Sequence, residues 1–268
     1  MEHNSLFGRR YTEEDVLSIS LAKKTWDNFL SYNFSHLNED NTGTNRYDIL
    51  APGGKVDRSC ISYNNEIFSK PAHHITESFS YRPNQKFHVT FQGDINISNK
   101  SAKSQGDEYS NEYGQNTLYS NTHQEKKVHN ISTNADLLVK YIISEKRQIS
   151  VSGGYLYART KSEIDLMTNN ENRSWINGKN DYKAFNAKIE YDYNSKKGFS
   201  LNAGFQGNSI LNKGYSNYIF EDAASPFYNT TSDLREDELS LFATMNQKWN
   251  KFFITAGLRG SIFHSEYE

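Results

Sequence analysis

Runs of about ten residues that alternate apolar with polar, short Lys-rich turns after every second run and long polar stretches after the others predict an all-β fold. The predicted arrangement is an antiparallel up-and-down barrel. In Phe87 to Ser98, the residues Phe87, Val89, Phe91, Ile95 and Ile97 share one parity, and His88, Thr90, Gln92, Asp94, Asn96 and Ser98 hold the other. A period of two sends these sets to opposite faces of a strand. The same alternation runs from Ile131 to Ile143 with Leu138 as its one misfit, from Phe185 to Tyr193, and from Phe252 to Ile262. A strand of about ten residues, rising roughly 3.3 Å each and tilted near 40°, crosses an apolar band about 25 Å tall. The fold class is therefore an antiparallel up-and-down transmembrane β-barrel.

Taken in order, the predicted hairpins are Val16–Ala22 with Trp26–His36, Ile75–Tyr81 with Phe87–Ser98, Val128–Ile143 with Ile149–Arg159, Tyr182–Tyr193 with Phe199–Asn208, and Leu239–Trp249 with Phe252–Phe263. Short turns are predicted near 23–24, 82–85, 144–147, 194–198 and 250–251, where Pro, Asn and Gly pre-set φ or tolerate positive φ. Long loops are predicted near 37–74, 99–127, 163–181 and 210–238, rich in Asn, Ser, Asp and Gly; short turns on one side and long extracellular loops on the other are the habit of outer-membrane barrels. Trp26, Tyr81, Phe87, Tyr141, Tyr193, Phe199, Trp249 and Phe252 flank the short turns. Aromatics favour strands in general, but their clustering at one end of successive hairpins favours an interfacial girdle.

The chain has 268 residues, enough for one large all-β domain, and nothing in it marks a boundary between two. Mean hydropathy is −0.82, low for a membrane protein on average. A barrel with a polar lumen needs apolar residues on its lipid face alone, so this value and a membrane location agree. A net charge of −2 leaves no basic footprint for nucleic acid. The single cysteine, Cys60, falls in a predicted loop and reads as a passive residue there. Met1 to Thr12 is polar and carries Arg9 and Arg10 without an apolar stretch, so no secretory signal is read there and the chain is expected to be an internal piece of a longer one.

The stretches Phe185–Tyr193, Ser200–Gly207, Glu236–Thr244 and Trp249–Gly260 carry a resemblance to the outer-membrane barrel of TonB-dependent receptors. It is closest to the barrel family that ends a strand with Ala-Gly-Leu-Arg-Tyr-Glu: Ala256, Gly257, Leu258 and Arg259 match, and Gly260 and Ser261 replace the last two. The clear resemblance covers the last third of the chain. It implies a barrel of about 22 strands, of which this chain would supply a ten-strand fragment without a plug domain. It also implies a solute captured by extracellular loops, and a plug domain and a TonB-type energy-coupling protein as partners in the full-length protein.

Chemistry is sought and mostly not found. His73 and His74 are neighbours that would face opposite ways on a strand, which rules out one shared metal. Asn38, Asp40, Thr42 and Gly43 open like a calcium loop, yet the twelfth position is Ile49. Ala51 to Lys55 reads as a turn, and Glu236, Asp237 and Glu238 as a solvated loop end. No catalytic arrangement, metal site or cofactor is read, so the chain is expected not to be an enzyme.

Lys188, Glu190, Asp192 and Arg259 are the candidate lumen-facing charges. A wet lumen accommodates any polar residue; contact with a plug or a permeating solute is the sharper reading. Among the loop aromatics, Tyr113, Trp175, Tyr215 and Tyr218 are candidate ligand contacts, stacking on a glycan or other ligand or else packing on one another. The sequence thus points to part of a receptor or transporter in the outer membrane of a Gram-negative bacterium, in contact with outer-membrane lipid and taking up a solute in a TonB-dependent manner. The alternative is a non-transporting surface protein, an adhesin or scaffold barrel whose loops bind a partner. A soluble extracellular β-sandwich is a third reading.

Overall fold

The computed structural model describes residues 3–50, 56–112, 115–170, 172–195, 197–221 and 228–268. They form one ten-stranded sheet in which each strand pairs antiparallel with the next in sequence. The strands are β1 (His3–Lys23), β2 (Trp26–Leu50), β3 (Val56–Asn84), β4 (Phe87–Glu112), β5 (Gln115–Ser144), β6 (Arg147–Thr168), β7 (Asn172–Asn194), β8 (Phe199–Phe220), β9 (Tyr228–Trp249) and β10 (Phe252–Tyr267). This is the all-β up-and-down order expected. A single sheet is not a sandwich, and the soluble two-sheet reading is dropped.

Register explains why the alternation matters. One row across the sheet runs Tyr81, Val89, Val139, Val151, Ile189, Phe205, Leu241 and Gly260, each paired with the next. The adjacent row runs Ser80, Thr90, Leu138, Ser152, Lys188, Gln206, Ser240 and Ser261. Paired residues share a face, so the apolar parity of every strand meets the apolar parity of its neighbours. A continuous apolar band results. Its side chains are exposed, among them Leu17, Ile19 and Leu21 on β1 and Leu241, Met245 and Leu258 near the other edge. Leu138 is an apolar intruder in the polar row. Asn28 and Glu77 are the converse case on the apolar face; there Asn28 Nδ2 donates to Glu77 Oε1 at 3.3 Å.

The row also climbs. Val89 is two positions along β4 from Phe87, whereas Gly260 is eight positions along β10 from Phe252. Tilted strands require such a stagger. The apolar band occupies the ten or so residues next to the short turns, 87–97 on β4, 149–157 on β6 and 185–193 on β7.

The segments expected as long loops are different in the structure. Most of 37–74, 99–127, 163–181 and 210–238 continues the strands, which reach 30 residues in β5. Asn169 and Asn170, at φ of 55° and 56°, turn β6 into β7; two consecutive positive φ values suit a tight hairpin, and Asn accepts them at low cost. Above the band both faces meet water, so no alternation marks these extensions, and ladder hydrogen bonds with cross-strand ion pairs hold them instead. Cys60 accordingly lies within β3 and is buried rather than in a loop. The residues resembling a calcium loop lie extended in β2, where they cannot wrap an ion, and Glu236 to Glu238 lie in β9. Ala51 to Lys55 and Tyr113 lie outside the described residues.

β1 contacts only β2, and β10 only β9, among the described residues. Among the described residues, each edge strand therefore has one neighbour and one unpaired side.

The two faces make opposite predictions. Leu137→Arg, near the middle of the apolar band, is expected to cost about 2–4 kcal/mol in a bilayer, and Asn134→Arg on the polar face close to nothing. Denaturant titration of both variants folded in vesicles measures the difference.

Candidate functional site

The polar face next to the short turns carries a network of charged and amide side chains. Lys188, Glu190 and Asp192 occupy alternate positions on β7 and therefore one face, opposite Gln206, Gly204 and Asn202 of β8. Asn202 Nδ2 donates to Asp192 Oδ1 at 2.6 Å and to Glu190 Oε1 at 3.5 Å, and Gln148 Nε2 of β6 donates to Asp192 Oδ2 at 2.8 Å. Lys188 Nζ lies 2.7 Å from Glu190 Oε1 and 5.1 Å from the centre of the Phe242 ring. Arg259 shares the face but not the network: its Nη2 donates to Glu238 Oε1 at 3.0 Å, and Asn208 Nδ2 holds the other carboxylate oxygen at 3.2 Å. The structure thus brings three of the four candidate lumen-facing residues together and ties the fourth to a neighbouring carboxylate.

A glycine makes this packing possible. A Cβ at Gly204 would collide with the Ile189 carbonyl oxygen and lie 2.6 Å from Phe242 Cζ, so the ring lies directly on the β8 backbone. The ring in turn supplies the face over which the Lys188 ammonium sits, a favourable placement for a cation. Arranged in this way, the network can offer carboxylate and amide oxygens to water or a polar solute; it holds no activated nucleophile. Ser80 Oγ and His88 Nε2 do approach to 3.3 Å, but the same nitrogen accepts from Arg82 Nε at 3.1 Å and lies 3.1 Å from Thr90 Oγ1. That shared lone pair is a poor general base. Among the described residues, no group of three or more His, Cys, Asp or Glu side chains is arranged to hold a metal ion.

The three described aromatic candidates, Trp175, Tyr215 and Tyr218, do not form one platform. Trp175 and Tyr215 lie on strands, four register positions apart, because Trp175 pairs with Ile219 and Tyr215 with Lys179. Tyr218 has the opposite parity on β8 and the opposite face. Trp175 has partners of its own: the Arg173 guanidinium lies 4.9 Å from its ring centre, and Arg173 grips Asp165 through Nε at 2.9 Å and Nη2 at 2.5 Å. These hydrogen bonds from Arg173 hold the Asp165 carboxyl below the usual carboxylate range, against its partial burial. Tyr63 and Tyr109 meet edge to face at 5.9 Å. Packing between sheet residues accounts for these contacts.

Sequence reasoning missed two features above the band. Tyr47, Cys60 and Glu108 come together from β2, β3 and β4; the Tyr47 hydroxyl donates to Glu108 Oε1, and that bond and burial raise its pKa. A hollow of about 460 Å³ spans β1 to β5 between Arg10, Glu39, Phe68, Ala102 and Lys126. Neither has a local signal, because each depends on pairing between residues far apart in the chain.

No protein-family model matches this chain. No curated protein matches it either. Among solved structures it is similar to the transport unit of the autotransporter AIDA-I from Escherichia coli, 9% identical over 99% of this chain and 84% of that one, with a TM-score of 0.35. It is similar to the outer membrane protease OmpT from Escherichia coli, 12% identical over 97% and 96%, with a TM-score of 0.31. A third is the ferric yersiniabactin uptake receptor FyuA from Yersinia pestis, 7% identical over 98% and 67%, with a TM-score of 0.18. Likeness at this level carries no activity from one chain to another and does not single out the TonB-dependent class. It does correct one expectation. The sequence reading excludes an enzyme, yet OmpT is by its name an outer membrane protease, so a wall of this kind does not exclude catalysis.

Two measurements probe these contacts. Gly204→Ala is expected to destabilise the sheet by about 1–3 kcal/mol through overpacking, while Gly260→Ala, with open space around its Cβ position, is expected to be neutral by denaturant titration. Above the band, a hydrogen bond from Arg159, with Lys179 adding to it, lowers the Asp181 carboxyl from 3.8 to about 2. Its contribution is therefore complete above pH about 4 and lost as the pH falls from there to about 2. In acid unfolding, the stability gap between wild type and Asp181→Asn is expected to close across that window.

Proposed function

We propose that the chain is a wall of an outer-membrane β-barrel in a Gram-negative bacterium, a surface protein whose polar face lines a wet interior and whose tall strands stand outside the bilayer. The observation that carries this reading is the apolar band, kept in register across all ten strands at a height that matches the hydrocarbon. An antiparallel sheet with one apolar and one polar face meets the requirement that backbone groups in lipid be paired within the protein. Strands roughly twice as long as the band needs place ion pairs such as Arg173–Asp165 and Lys103–Glu125 in water, where they stiffen a surface that a partner can bind. The hollow beside Phe68 and Ala102 is the concave part of that surface.

A second reading is uptake of a solute by a TonB-dependent receptor. The Ala256 to Arg259 match and the two edges left unpaired among the described residues favour it, because a sheet with such edges suits a barrel with more strands. Lys188, Glu190, Asp192 and Arg259 would then face the plug or the solute.

The three tryptophans test the membrane placement. Trp26 and Trp249 lie on the apolar face beside the short turns, and Trp175 is 18 residues along β7 from Tyr193, roughly 45 Å up a tilted strand. Variants that keep one Trp and carry Phe at the other two positions, folded in vesicles of brominated lipid, are expected to show strong quenching of Trp26 and Trp249 and none of Trp175. Equal quenching of all three, or of none, would reject the placement.

A further inference from the structure

The edge of the sheet that carries the short turns is strongly basic. Each of the five turns holds at least one exposed cation: Lys24 at the first, Lys86 at the second, Lys146 and Arg147 at the third, Lys197 at the fourth and Lys251 at the fifth. Asp27 and Glu145 are the carboxylates nearest to them in sequence. The chain as a whole is slightly acidic, with a net charge of −2. This edge therefore concentrates positive charge that the remainder of the chain more than offsets.

A further observation separates this edge from an ordinary solvated surface. The turn cations stand at the level of the aromatic girdle, where Lys23 Nζ lies 5.6 Å from the centre of the Trp26 ring and Arg147 Cζ 5.8 Å from that of Tyr193. In a membrane, ring and cation at that height meet headgroups rather than acyl chains or bulk water.

We propose that the short-turn rim binds the anionic headgroups of phospholipids in the leaflet that borders it. The proposal rests on the membrane placement above and adds a lipid class to it. Lys side chains reach outward from the turns as flexible point charges, which suits diffuse attraction to phosphodiesters of a mobile lipid shell. Their spread over five turns gives a belt around the wall rather than one pocket.

The test uses the full chain purified in nonionic detergent and presented with phosphatidylglycerol or phosphatidylcholine at equal concentration, with retained lipid counted by native mass spectrometry. Retention of phosphatidylglycerol is expected to exceed that of phosphatidylcholine by at least about tenfold, since each cation near a charged surface contributes roughly fivefold. A variant combining Lys24→Gln, Lys86→Gln, Lys146→Gln and Lys251→Gln is expected to lose the preference, and the matching Lys→Arg variant to keep it. Heat-modifiable migration checks that each variant still forms the wall. A variant with Lys103→Gln, Lys126→Gln and Lys127→Gln, far from the rim, is expected to keep the preference. Equal retention of both lipids by the wild type, or the same loss in the distant variant, overturns the proposal while leaving the membrane placement intact. Preference for polyglutamate over phosphatidylglycerol assigns the rim to an acidic protein and overturns it too. Retention of neither lipid by a chain soluble without detergent overturns both.

Discussion

Parity held in register is the constraint on which the structure depends. Side chains on a strand alternate with a period of two, so a slip of one residue between neighbours would carry every apolar side chain of one strand to the polar face. From Tyr81 to Gly260 the apolar row crosses eight strands without such a slip. Shifts in register do occur, between Tyr81 and Asn84 and between Ile142 and Ser144, but they sit against the short turns, and others lie far up the strands. The band between is left regular. Irregularity is tolerated where backbone groups can reach water and is absent where they would face hydrocarbon.

The same constraint decides what could be read from the sequence. Phe87 to Ser98 and Phe252 to Ile262 announce themselves because one face must be apolar and the other polar. Ser101 to Gln105 and Glu125 to Lys127 are strand as well, but with water on both faces no rule selects which parity is apolar, and their composition resembles a loop. What holds them is pairing that a linear reading does not see, such as Lys103 with Glu125 across the β4–β5 ladder. The hairpin at Asn169 and Asn170 is legible in principle, since two adjacent Asn favour positive φ; the polar surroundings hide it.

The candidate site divides along the same line. That Lys188, Glu190 and Asp192 share a face follows from spacing alone. That Arg259 joins Glu238 instead of this trio depends on long-range pairing, which no local pattern encodes: Arg259 is level with Glu190, but Gly204 and Phe242 stand between them in the row. Gly204 is a similar case: in sequence it weakens a strand, and only the Phe242 ring lying on it gives the absence of a side chain a purpose. Tyr215 and Tyr218, three residues apart, group together as loop aromatics in a linear reading, yet on a strand their odd separation places them on opposite faces.

The open edges reach beyond architecture into the order of events during assembly. Along β1 and β10 the outward N–H and C=O groups have no partner among the described strands, and in hydrocarbon each such group costs several kcal/mol. A half-inserted sheet would therefore be less stable than either the sheet in water or the closed wall, whatever supplies the missing neighbours. Entry into the bilayer and sealing of the edges must then proceed together as one cooperative step. The seam, rather than any single hairpin, sets its barrier.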